Sequence, residues 1–180
     1  MPSGFPRDLE ELFGFLQEQR VLDSVERRRA EEAWSGSPEA ETLLRLARAL
    51  RQRLAAAGES LADGSAVESS TVDAINGILS REAAHAVLAP GKAGFAMRSY
   101  RRLSDPVELL VPIARSAAVL LSSDAAGRFG RCAAAGCGAL FYDTTRNGRR
   151  RWCRMDRCGN RAKAAAHYRR RKSAGRGGRK

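Results

Sequence analysis

The sequence predicts a mainly α-helical N-terminal domain followed by a small module built in the order knuckle, β-hairpin, helix. Three observations predict it. Good helix formers dominate, and aromatic residues make up only 6% of the chain. Apolar residues recur at helical spacing through most of residues 7–121. All four cysteines fall within 27 residues near the C-terminus, where the charge balance also changes sign. A length of 180 residues suits one ordinary domain plus a small module, and 43% hydrophobic residues are enough for a core.

Residues 7–22 are expected to be helical, with Asp8 as N-cap and Leu9, Leu12, Phe13 and Leu16 on one face. Ser35, Gly36, Ser37 and Pro38 form a break. Residues 39–57 place Leu43, Leu46, Ala47, Leu50 and Leu54 on a second stripe, closed by Gly58. A third helical run is expected from Gly64 and Ser65 to about Leu88, burying Val72, Ile75, Ile78 and Leu79 and ending at Pro90 and Gly91. Residues 92–103 read as either a short strand or a loop. Asp105 and Pro106 start a last body helix, which Pro112 should kink or shift. These elements define a domain over residues 1–123. The leucine and alanine stripes are core, and a lone His85 is expected to be structural.

The net charge of +12 is unevenly placed. Residues 1–127 hold 15 Lys+Arg against 18 Asp+Glu, a net of −3, whereas residues 128–180 hold 17 against 2, a net of +15. A near-neutral body followed by a basic module points to a polyanionic partner. The acidic N-terminus does not read as a secretory signal, and no apolar run is long enough to span a membrane. The expectation is a cytoplasmic, nucleoid-associated protein with reduced thiols and no membrane partner.

The cysteine spacing is Cys132-x4-Cys137-x15-Cys153-x4-Cys158. Two short-spaced pairs are what a tetrahedral Zn2+ ion needs. The segment between the pairs reads as a hairpin, with residues 139–144 as one strand, Asn147 and Gly148 as a tight turn, and residues 149–153 as the return. Gly136 and Gly138 flank Cys137 as a metal-binding knuckle requires. Phe141 and Trp152 are the expected small core. Knuckle, hairpin and helix together make a treble-clef-like zinc module over residues 128–172, with a disordered basic tail over 173–180. Two disulfides, four unrelated thiols, or His167 as a replacement ligand are the competing readings. Four thiolates around zinc carry a formal charge of −2, which Arg151, Arg154 and Arg157 would offset.

At these residues a resemblance appears. Cys132, Cys137, Leu140, Phe141, Tyr142, Asp143, Asn147, Arg150, Arg151, Trp152, Cys153, Met155, Lys163 and the run Cys158, Gly159, Asn160, Arg161 resemble the CGNR-type zinc finger. The resemblance implies zinc held by the four cysteines and a role in bacterial transcription regulation. Residues 7–123 look like the stress-induced transcription regulator domain (ABATE-like) that accompanies this finger, through their helix order and stretches such as residues 72–79.

Taking residues 157–172 as one helix at about 100° per residue places Arg157, Arg161, Tyr168 and Lys172 within about 60° of one another. Ala164 and Ala165 beside them would let that face approach a groove. Lys163, Arg169, Arg170 and Arg171 add charge around the helix, and Arg149, Arg150, Arg151 and Arg154 add a second basic surface. Groove-reading DNA binding is expected. Binding to DNA or RNA without sequence preference, or docking to a ribosome- or polymerase-associated protein, are the alternatives. An unknown small-molecule effector fits the helical domain. The chain offers no nucleophile–base pair and no open metal position, so no enzyme activity is expected.

Overall fold

The computed structural model describes residues 6–83, 85–91, 93–100, 104–122 and 127–176. They fall into two compact units, one of residues 2–55 with 68–121 and the other of residues 56–67 with 122–180.

The first unit is mostly helical. Helix α1 (Leu9–Glu18) starts where Asp8 accepts a hydrogen bond from the Glu11 amide, and it buries Leu12, Phe13 and Leu16. Helix α2 (Ser24–Trp34) follows at once and buries Ala30 and Trp34. It is absent from the expected elements, although Asp23 and Glu26 form a reciprocal capping box. The helix contains no leucine and is rich in arginine and glutamate, so in sequence it resembles a charged loop.

Helix α3 (Pro38–Ala62) is longer than its expected stop at Gly58. Glycine inside a helix costs only about 1 kcal/mol. The chain turns instead at Gly64, whose φ of 71° is the left-handed conformation that glycine supplies.

Helix α4 (Ser69–Leu79) buries Ile75 and Ile78 but leaves Val72 exposed. It stops well before Leu88, which corrects the expected helical run. Residues His85–Gly91 are strand β1, paired antiparallel with β2 (Gly94–Tyr100). Gly94, with φ 114°, makes the turn between them. His85 therefore lies on a strand, edge-on to Tyr100 with ring centroids 5.4 Å apart. Pro106–Leu110 form a 3-10 turn ahead of α5 (Val111–Ser122). Pro112 thus sits in the first turn of α5, where its missing N–H costs nothing. One core unites Leu12, Phe13 and Leu16 with Leu43, Leu50, Ile75, Leu109 and Ala114. No described helix is long and apolar enough to cross a membrane.

In the second unit, β3 (Phe129–Arg131) pairs antiparallel with β4 (Leu140–Tyr142). A five-residue π turn (Met155–Gly159) then leads into α6 (Asn160–Arg176). The expected strand 139–144 is real at its centre, but its partner lies upstream rather than at residues 149–153. The tail placed at 173–180 also differs, since α6 continues to Arg176; residues 177–180 lie outside the described residues. The end of α3 packs with this unit. Gly58 lies under Leu140 and Phe129, and Arg131 grips Asp63 through two hydrogen bonds of 3.0 and 2.9 Å.

Candidate metal centre and basic helix

The knuckle is the turn of the β3–β4 hairpin. Cys132 donates its amide to Ala139 O at 2.9 Å, directly beyond the last paired residues. Cys137 closes a tight loop onto Ala134 O at 3.0 Å. Gly136 and Gly138, with φ of 71° and 58°, supply the left-handed backbone on either side.

The second pair is brought in by a different device. Asp143 is buried, and its carboxylate accepts from the Thr145 amide at 2.8 Å, the Thr145 hydroxyl at 2.5 Å and the Arg150 amide at 2.7 Å. These bonds, led by that from the Thr145 hydroxyl, hold its pKa below the usual carboxylate value. They fold residues 143–150 into a loop that contains the Asn147–Gly148 turn. Asn-Gly therefore marks a turn, as expected, but inside an aspartate-pinned loop rather than between paired strands. Ala133 then donates to Arg151 O at 2.9 Å and fixes the returning chain beside the knuckle.

Cys158 sits in the π turn. The amides of Cys158 and Gly159 both donate to Arg154 O, at 3.0 and 3.1 Å. A β-carbon on Gly159 would run into Met155 Sδ, so glycine lets that side chain lie against the turn. Asn160 Nδ2 bonds Asp156 O at 3.2 Å, and Arg161 Nη2 stands 3.9 Å from Cys158 Sγ.

Cys132, Cys137, Cys153 and Cys158 converge, with all four Sγ atoms within 4.8 Å of one another. Three of the separations are 3.6, 3.7 and 3.8 Å. Tetrahedral thiolate coordination with bonds of about 2.3 Å requires sulfur–sulfur edges of about 3.8 Å. A disulfide would require about 2.05 Å, so the paired-disulfide reading does not fit. The residues fit one metal ion. His167 is exposed on α6 and lies outside the cluster of four thiols.

Without a cation the thiols hold their protons unequally. The hydrogen bond with Cys137, followed by burial, pushes Cys158 up to about 12. Burial also pushes Cys153 up. Burial opposes ionisation of Cys132 too, but hydrogen bonds to the backbone of Cys153 and Ala134 and to neighbouring thiols bring it down to about 7. A metal ion held by the four cysteines would supply the positive charge that lets all of them ionise.

The basic residues divide into two groups. Arg150 is half-buried, donates to the Trp152, Tyr142 and Cys153 carbonyls and lies over Phe141 at 5.1 Å. It serves the fold. Arg154 is paired with Asp156 at 2.9 Å rather than with a thiolate. Arg161, not Arg154, is the arginine seen beside a ligand sulfur. Arg149, Arg151, Arg157, Lys163, Tyr168, Arg169, Arg170 and Arg171 are exposed, and the Lys172 side chain lies outside the described residues. Arg157 belongs to the π turn, whose residues advance by less than 100° each, so it is out of phase with the face predicted from a regular helix. Asp143, Thr145 and the Arg131–Asp63 pair have no role assigned from sequence. Asp143 does stand among the residues that resemble the CGNR-type finger, and the Asp-x-Thr spacing is a further signal for Asp143 and Thr145.

A mainly helical domain followed by a four-thiol cluster, held by a knuckle and a π turn that lead into a basic, largely exposed helix, defines a two-part metal-finger protein. Residues 128–171 match the family described as "CGNR zinc finger", and residues 7–124 match ABATE, described as "Putative stress-induced transcription regulator". The second match covers well over half of the chain, and the protein belongs to the ABATE family. No curated protein matches the chain.

Proposed function

We propose that this protein is a transcription regulator that binds DNA through its C-terminal module, with Zn2+ as the metal. The observation that carries the reading is α6. Only Ala162 and Ala166 on its first turns are half-buried, while Arg161, Ala164, Tyr168 and Arg171 are exposed along the opposite side. Long cations with a small residue between them suit close approach to a groove, where arginines reach phosphates or base edges. Four thiolates in a single-ion tetrahedron favour zinc, which accepts a closed sulfur site without redox change. Such a site is structural and carries no catalytic step. The protein would act on the nucleoid in the cytoplasm.

Fluorescence anisotropy of the zinc-loaded protein on labelled duplex DNA tests this. With about six phosphate contacts, affinity should fall about a thousandfold between about 50 and 200 mM salt. Arg171→Ala should reduce the slope of log affinity against log salt by about 1. Arg150→Ala should leave that slope unchanged and instead lower the unfolding temperature, because its guanidinium is spent on carbonyls. Absence of binding at low salt, with zinc present, would refute the DNA reading. Preference for single-stranded RNA would favour the RNA alternative.

A further inference from the structure

We infer that the outward face of the β1–β2 hairpin is a docking surface for a second copy of this chain. The register sets Leu88 opposite Met97 and Pro90 opposite Phe95, so these four side chains share one face, with Ala86 beyond them. Leu88, Phe95 and Met97 are 72%, 75% and 79% exposed. On β1 the alternate positions Val87, Ala89 and Gly91 are half-buried. The hairpin thus turns its largest apolar groups to solvent, the reverse of the polar-out pattern of a sheet with one covered face. Among the described residues, β1 and β2 pair only with each other. A two-stranded sheet needs a further layer on its apolar face to be stable in water.

Area and charge select the occupant. At roughly 200 Å² for a large apolar residue, the three exposures leave about 450 Å² on one face. Apolar patches of about 300–600 Å² are the largest that a typical monomer carries, and they mark interaction sites. Two such faces bury about 900 Å² between them, and the exposed Ala86 and Pro90 bring the total to about 1,000 Å², where specific but weak interfaces begin. None of these five residues is charged, so the face offers a polyanion no attraction. It is complementary to itself across a two-fold axis, where the same residues meet from both sides. Stacked about 10 Å apart, the two hairpins would interleave Leu88, Phe95 and Met97 with their equivalents and give each sheet its missing layer. The species expected is a dimer with a micromolar Kd. The inference goes beyond DNA binding and does not depend on it.

The test is sedimentation equilibrium of the full-length, zinc-loaded protein without DNA. The expected result is a monomer–dimer equilibrium with a Kd of about 1–100 µM. Raising the salt concentration should leave it unchanged or tighten it, because the contact is apolar. A Phe95→Ser, Met97→Ser variant changes two exposed positions, so it should keep its circular dichroism and weaken the dimer at least about tenfold. Leu88→Lys, on the other strand, should do the same by setting like charges against each other across the axis. Val25→Ser, at an exposed position on α2, should leave the dimer intact. A protein that stays monomeric up to about 200 µM would overturn the proposal. So would a dimer undiminished in both hairpin variants, or one that salt dissociates. Assembly that runs on past the dimer would also overturn it, since pairing of strand edges is open-ended where face-to-face pairing closes. A monomer that instead co-sediments with phosphatidylcholine vesicles would replace the second copy with a lipid surface. None of these readouts involves DNA, so failure of the dimer and failure of DNA binding are separately visible.

Discussion

Removing the metal is expected to unfold the C-terminal module while the helical domain stays folded. The reason is the size of its core. The buried cluster of the module consists of Cys132, Ala134 and Cys158, with Cys137, Trp152 and Cys153 packed against it. Four of those six residues are the cysteines whose thiols converge to hold a metal ion. Very little apolar surface remains to oppose the conformational entropy of ordering the loop 143–150 and the π turn. Structural zinc supplies an apparent ~10–16 kcal/mol in modules of this kind, more than the whole stability of many domains. A chelator should therefore collapse the amide resonances of residues 128–171 to unfolded positions and reduce the helical circular dichroism contributed by α6. Resonances of α1 and of the first turns of α3 should hardly move. Cys158→Ser should reproduce the effect without chelator. Retention of native shifts in the module after verified metal loss would show that the polypeptide holds this fold unaided.

The second large effect is expected in the other unit. Phe13→Ala should destabilise the helical domain by about 3–5 kcal/mol, the cost of an emptied aromatic site in a packed core. Phe13 is completely buried and belongs to the cluster that joins α1 to α3, α4 and α5. Against a total of about 5–15 kcal/mol, that loss leaves the domain marginal. Equilibrium urea unfolding would read it as a lower midpoint at an unchanged slope. Val25→Ala, at a position 53% exposed on α2, should shift stability by no more than about 0.5 kcal/mol. A Phe13→Ala loss below about 1 kcal/mol would mean that the site collapses around the smaller residue.

Much of the helical domain is legible in the chain because its signals are local. Asp8 caps α1 and the leucines of α3 lie on one stripe, both within a few turns of sequence. Helix α2 is harder to see because burial of just Ala30 and Trp34 leaves no stripe, although its capping box is present in the sequence. Strand β2 falls within residues 92–103, where a short strand is one of the two readings, but its partner β1 is hidden. That partner contains Ala86, Leu88 and Ala89, which favour helix intrinsically, and the pairing with residues 94–100 decides otherwise.

The metal ligands are legible because their chemistry is concentrated in one residue type at regular spacing. The geometry between them is less so. Asn147 and Gly148 signal a turn whatever follows it, and only the buried Asp143 carboxylate shows that the turn closes a loop. The true strand partner, Phe129–Arg131, is three residues long and carries no alternation pattern of its own. The division of the arginines is also invisible in sequence. Arg149, Arg150 and Arg151 are adjacent and identical in type, yet Arg150 turns inward to carbonyls, Arg149 faces solvent, and Arg151 is exposed with its guanidinium 5.4 Å from the Trp152 ring.

The central claim is one metal ion held by four thiolates, and X-ray absorption at the zinc edge tests it most directly. Four-thiolate coordination predicts a single shell of four sulfur atoms at about 2.3 Å in protein that contains one zinc per chain. A shell containing nitrogen or oxygen at about 2.0–2.1 Å, or protein that folds fully with no metal bound, would contradict it.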